Sequence, residues 1–229
     1  MQVIKPGQTG KGILIEYDAG YISPNDNKNF VNEVNKLAKG IPLIEEPLYV
    51  IAVLQKHGVE NRNGRVYPKP ILERENKNYQ LAIQQKRALG ELDHPESSII
   101  AGDRISHNIV ETWWEGNTLM GKLEIIMSPG FVSSGIISCK GDMVANYLRK
   151  GLMIGVSSRG VGSLKKEGGK NVVQDDFELI CWDIVTSPST PGSWIFNNKE
   201  EAAPFVESKQ NNKPLIIEDL DKFLNDEED

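Results

Sequence analysis

Apolar and polar positions along the chain change period several times, and each change marks an element. Leu48-Tyr49-Val50-Ile51-Ala52-Val53-Leu54 is a continuous aliphatic, β-branched and aromatic run closed by His57-Gly58. Its length suits a central strand, and its lack of alternation predicts burial on both faces. Pro68 and Pro70 suit a helix start, after which Ile71, Leu72, Tyr79, Leu81, Ala82 and Ile83 recur near helical spacing as far as Lys86. Strands are predicted at about 105–114 and 119–127, joined by Glu115-Gly116-Asn117, where Gly and Asn give a hairpin turn its backbone freedom. Met143, Val144, Tyr147 and Leu148 mark a further helix, with Asp142 as the expected cap and Gly151 as the expected stop. Two more strands are predicted over 153–164 and 171–185, with the Lys165 to Lys170 turn and its Gly168-Gly169 pair between them.

Strands here are not separated regularly by helices, so the fold expected is α+β and mostly β. It is an antiparallel core with two or three flanking helices, closer to a barrel than to a doubly wound sheet. Residues 1–44 are predicted to be an N-terminal arm and first strand packing on the core, with the apolar stretch Ile13-Leu14-Ile15 as that strand. The core is assigned to 45–197. Residues 198–229 form a polar and finally acidic tail, in which Leu215, Ile216, Ile217, Leu220, Phe223 and Leu224 are spaced like a short amphipathic helix. With 229 residues, 39% hydrophobic and 25% charged, the chain has the composition of one soluble domain. No apolar run approaches a membrane span and no secretory signal is evident. Cys139 and Cys181 are too few for a disulfide scaffold. A net charge of −6 without a clustered basic stretch argues against nucleic acid and for protein partners.

Three histidines exist, His57, His94 and His107, so imidazole chemistry has few candidates. His94 stands in the turn-rich segment Gly90-Glu91-Leu92-Asp93-His94-Pro95, where it has no evident packing duty. Gly155-Val156-Ser157-Ser158-Arg159-Gly160 surrounds a serine with small residues, which suits close approach of a substrate backbone. A serine hydroxyl needs an adjacent base, and the oxyanion needs donors, so Ser157 and His94 are a candidate nucleophile and base, and Ser158, Arg159 and Gly160 candidate oxyanion or substrate contacts. Asp183 lies inside the apolar run Leu179-Ile180-Cys181-Trp182-Asp183-Ile184-Val185. A charge there demands a partner, which makes it the candidate orienter of the imidazole, with Asp93, Glu91 and Glu178 as rivals. The Gly-x-Ser-x-Gly elbow is absent, which excludes the usual α/β-hydrolase arrangement. Gly7-Gln8-Thr9-Gly10-Lys11-Gly12 fails as a phosphate loop, because Lys5 replaces the first glycine and Gly12 the magnesium-binding hydroxyl. Asp93, His94, Asp103 and His107 lack metal-ligand spacing, so no metal and no cofactor are expected.

Asn61-Arg62-Asn63-Gly64-Arg65-Val66-Tyr67-Pro68, Ala88-Leu89-Gly90-Glu91-Leu92-Asp93-His94-Pro95, Trp113-Trp114-Glu115-Gly116-Asn117, the Ser157 segment through Ser163, and Asp183-Ile184-Val185 with Ser187-Pro188-Ser189 occur in order. Together these blocks, spanning about 45–196, resemble the prohead core proteases of T-even-type tailed phages. That family is similar to the herpesvirus assembly proteases, which implies a β-barrel of about seven strands ringed by helices and a serine mechanism. By the resemblance, the catalytic histidine falls on His94 and the nucleophile on Ser157, with Ser158 as the neighbouring alternative. The herpesvirus enzymes have a second histidine at a comparable distance after the serine; here that position is Asp183, which can hold an imidazole tautomer equally well. The resemblance further implies an enzyme inside a viral prohead assembled in the bacterial cytoplasm. Scaffold and major capsid proteins would be its substrates, along with the enzyme itself, and it would cut after glutamate. Glu201-Ala202 is then a candidate self-cleavage site, although Lys199 departs from the aliphatic residue expected two places upstream. The acidic tail leaves room for self-association. An inactive structural core protein with the same fold is the alternative, and a metal hydrolase centred on His94 and His107 a third reading.

Overall fold

A computed structural model describes residues 47–95 and 97–206. The predicted arm, its strand near residue 14 and the amphipathic stretch at 215–224 lie outside the described residues.

The apolar run becomes β1 (Leu48–Lys56), and every residue from Val50 to Lys56 is buried. Alternation divides its side chains. Val50, Ala52 and Leu54 enter the main core with Ile109, Leu123, Val156, Trp182 and Ile184. Ile51 and Val53 enter a smaller cluster on the other face with Met120 and Ala202. β1 pairs antiparallel with β5 (Thr118–Ile125), which pairs with β4 (Ile105–Glu115) through the predicted hairpin, where Gly116 takes φ +60°. β3 (Leu89–Glu91) and β10 (Ile195–Phe196) complete a five-stranded sheet in the order β10-β1-β5-β4-β3.

The region 153–185, predicted as two strands at 153–164 and 171–185 around a Lys165 to Lys170 turn, holds four, one of them largely within the predicted turn. β6 (Gly155–Val161) pairs with β9 (Glu178–Val185) as a two-stranded sheet. β7 (Leu164–Glu167) and β8 (Lys170–Val173) form the predicted hairpin across Gly168-Gly169 and join β2 (Arg65–Val66) in a three-stranded sheet. The break between β6 and β7 has a local cause. Asp176 accepts from both the backbone N–H and the hydroxyl of Ser163 at 2.9 Å, a turn that neither strand could continue through.

Among the described residues the strands do not close into a barrel; the fold is mixed α+β and mostly β, in antiparallel sheets with one parallel pairing. Single bridges stitch the five- and two-stranded sheets together. Leu92 bridges Ile184 in parallel, and Gly155 bridges Trp194.

Among the described residues, four α-helices flank the strands. α1 (Lys69–Gln84) follows Pro68 as predicted and sets Tyr79 edge-on to Trp182, ring centroids 4.7 Å apart. The short α2 (Pro129–Ser134), capped by Ser128, carries no strong period and was not anticipated. α3 (Lys140–Arg149) is the predicted helix, but Asp142 is its third residue and Cys139 stands at the cap. The carboxylate reaches back to accept from Cys139 N at 3.0 Å and also from the backbone and hydroxyls of Ser128 and Ser138. Burial alone would raise its pKa, yet these bonds pull it down to about 2. α4 (Lys199–Val206) begins where the sequence suggested only a polar tail, and its Ala202 is buried against the second face of β1.

Candidate active site

Period-two alternation governs the site. Ser157 on β6 lies directly opposite Asp183 on β9, and Arg159 opposite Cys181, so these four side chains share one face of the pair. Ser158, paired with Trp182, belongs to the other face. His94 arrives from a different element. After β3 the chain keeps alongside β9, with Leu92 bridging Ile184 and Asp93 N donating to Ile184 O at 2.8 Å. Asp93 then takes φ +75°, a turn aspartate tolerates, and the next residue meets Asp183. Gly90 makes the approach feasible: a Cβ there would collide with the Trp182 carbonyl and the His107 ring.

His94 Nδ1 lies 2.7 Å from Asp183 Oδ2. Asp183 is fully buried, while 38% of the His94 side chain remains exposed. The other carboxylate oxygen accepts from Glu91 N at 3.0 Å, Arg159 Nη2 at 3.2 Å and the Cys181 thiol at 3.3 Å. Arg159 Nε stands 2.9 Å from Oδ2. Burial raises the Asp183 pKa, but the bonds from His94 and Glu91 N, the Arg159 charge and the Cys181 bond outweigh it and hold the carboxyl below its ordinary range. Burial and the neighbouring carboxylate push the Cys181 thiol up to about 12, so it stays protonated and is no nucleophile.

Ser157 and His94 line the same cavity of about 400 Å³, together with Ser158, Asp93, the 61–65 loop and residues 185–189. Asn61 shapes the rim by accepting from Asn63 N and Arg65 N at 3.0 Å each. Arg62 N donates to Ser189 O at 2.8 Å, tying the two rim loops together. Arg62 and Arg65 bring positive charge to this rim and form no ion pair among the described residues.

The predicted residues therefore divide. Ser157, His94 and Asp183 come together, and Ser158 shares the cavity wall. Arg159 and Gly160 are not among its lining residues; the Arg159 guanidinium is turned inward onto Asp183. Glu201 lies exposed in α4, accepting from Asn197 N at 3.0 Å, and Ala202 is buried beside it. His107 is fully buried, its ring nitrogens engaged by the Ser106 hydroxyl and the Trp182 carbonyl. Burial lowers its pKa to about 4, so it is neutral. Among the described residues no three His, Cys, Asp or Glu side chains gather as metal ligands. Cys181 and Arg104 gave no signal in the sequence. Glu91 gave one only as a rival orienter, and its role in the structure is different: it faces both Arg104 and Arg159.

A mostly β frame brings a hydroxyl and an imidazole to one cavity with a buried carboxylate behind the imidazole, groups suited to acyl-transfer chemistry. The chain belongs to the prohead core protein serine protease family, whose model matches residues 14–203, a longer span than the motif blocks alone cover. It is 33% identical over 173 residues to the prohead core protein protease of Enterobacteria phage T4, covering 70% of this chain and 78% of that protein. The solved structure of the bacteriophage T4 capsid assembly protease superposes with a TM-score of 0.56 at 32% identity, covering 64% of this chain and 88% of that one. The chain is thus a protease of phage capsid assembly.

Proposed function

We propose that this chain is a serine endopeptidase in which Ser157 attacks the scissile carbonyl, His94 takes its proton and Asp183 orients the imidazole. The observation that carries the reading is the 2.7 Å contact between His94 Nδ1 and a buried carboxylate, at the wall of a cavity that Ser157 also lines. With Nδ1 engaged, Nε2 is the atom available as general base, and it returns the proton to the leaving amine. No hydrogen bond joins Ser157 to His94 in this free enzyme; such contacts tighten when substrate binds. Ser158 borders the same cavity and offers its backbone to substrate, its side chain belonging to the other face of the pair, and Arg62 and Arg65, which form no ion pair among the described residues, favour an acidic side chain at the cut.

The substrates are scaffold and major capsid proteins inside the prohead, assembled in the host cytoplasm, and the enzyme also cuts itself, with Glu201-Ala202 as the candidate site. The five- and two-stranded sheets together hold seven strands joined by the Leu92 and Gly155 bridges, which supports a kinship with the herpesvirus assembly proteases although the strands do not close. Intact-mass analysis of chain and scaffold expressed together tests the activity. Wild type is expected to yield discrete cleavage products, and folded Ser157→Ala and His94→Ala are each expected to yield none. Full processing by Ser157→Ala would reject the nucleophile, and a wild type that never cleaves would favour an inactive structural core protein.

A further inference from the structure

Arg159 belongs to a buried ionic network that the catalytic roles above leave unused. Its side chain is 7% exposed. Nε stands 2.9 Å from Asp183 Oδ2 as an ion-pair contact without a hydrogen bond, and Nη2 donates to Asp183 Oδ1 at 3.2 Å, so the guanidinium charge faces both carboxylate oxygens. Nη1 donates to Ser97 O at 2.8 Å, three residues beyond His94. Glu91 lies behind it: Oε1 is 3.5 Å from Arg159 Nη2 and accepts from Ala101 N at 2.5 Å, and Oε2 is 3.3 Å from Arg104 Nε. Two arginines thus balance two carboxylates, the condition under which charges tolerate burial.

We propose that Arg159 is the positioning residue of this site: one guanidinium holds Asp183 in line with His94 and ties down the loop that carries His94. The inference rests on the serine mechanism proposed above. An oxyanion donor must face the substrate carbonyl, whereas the Arg159 donors are committed to Asp183, Ser97 and Cys181. The groups facing Asp183 are His94 from the loop after β3, Glu91 N from β3, Arg159 from β6 and Cys181 from β9, with the charge also felt by Tyr79 of α1 and His107 of β4. Arg159 is the cation that stays charged throughout the working pH range. Removing it raises the proton affinity of the groups around it, so the acid limb of activity must move to higher pH.

The test uses the full chain and a fluorophosphonate probe, which labels an activated serine without requiring a known substrate. In Arg159→Gln the labelling rate is expected to fall about 100-fold and its acid limb to rise by about one pH unit. Arg159→Lys keeps the charge but loses the fork, so its acid limb is expected to match wild type at a rate about 10-fold below it. A folded Arg159→Gln with wild-type rate and profile overturns the proposal. So does a rate loss with an unmoved limb, which would make Arg159 a substrate contact. If neither variant accumulates as folded protein, Arg159 holds the fold and the positioning role is rejected. Wild type that takes no label, or Ser157→Ala that labels normally, would instead sink the underlying serine reading, and is distinguished by those two controls.

Discussion

A carboxylate survives inside the apolar run of β9 because each oxygen of Asp183 has a donor or a cation against it. Its position in that run was the signal by which the sequence exposed it, since an unpaired charge there would cost several kcal/mol. Asp183→Asn keeps the shape but sets an amide donor against His94 or Arg159. We expect it to lower kcat about 10⁴-fold and stability by about 3 kcal/mol, checked by peptide cleavage kinetics and urea unfolding. The pH dependence follows from the direction of the shift. The folded pKa lies below the ordinary 3.8, so the Asp183 contribution is complete above that value and is lost as pH falls through the lower folded one. The stability gap between wild type and Asp183→Asn should therefore shrink in acid. Arg159 was legible only in part. Its closeness to Ser157 suggested a role at the substrate, whereas strand alternation puts it on one face with Asp183, which emerges only once β6 and β9 are in register.

Helix α3 and the turn before it depend on Asp142, whose carboxylate gathers backbone and hydroxyl donors from Ser128, Ser138 and Cys139. Replacing it by Asn should cost about 2 kcal/mol at neutral pH, seen as a lower urea midpoint. With a folded pKa of about 2 against an ordinary 3.8, that contribution is complete above pH 3.8 and disappears as pH approaches 2, so the two proteins should converge there. A capping role for this aspartate was readable from composition; its place three residues inside the helix was not, because both geometries use the same residue types. β3 was missed for a related reason. Three residues carry no periodicity, and the need for glycine at position 90 arises from the Trp182 carbonyl, more than ninety residues away in sequence.

The continuous apolar run of β1 predicted two covered faces, and the cover on the second is α4. Ala202 packs against Ile51 and Val53, Phe205 meets Phe196 with centroids 4.9 Å apart, and Lys56 Nζ donates to Phe205 O at 2.5 Å. Cutting between Glu201 and Ala202 therefore requires α4 to open locally, and its rate should follow the population of the open form. Phe205→Ala is expected to cost about 2 kcal/mol of that docking, raising cleavage after Glu201 about 30-fold. An added glutamate-specific endoprotease, used in the Ser157→Ala background and read by intact mass, measures this without the chain's own activity.

Residues and their order were enough to determine the main strand and helix periods and the β-rich class, and to single out a serine, a histidine and an aspartate as candidates for one site. Periodicity and burial cost act over a few neighbouring positions, so these were visible in the chain itself. Tertiary structure alone decided that β6 and β9 pair with Ser157 opposite Asp183, that the 93–94 turn delivers His94 to that carboxylate, and that Arg159 points inward. Those outcomes depend on register between segments far apart in sequence, where one residue of slip would send every side chain to the opposite face.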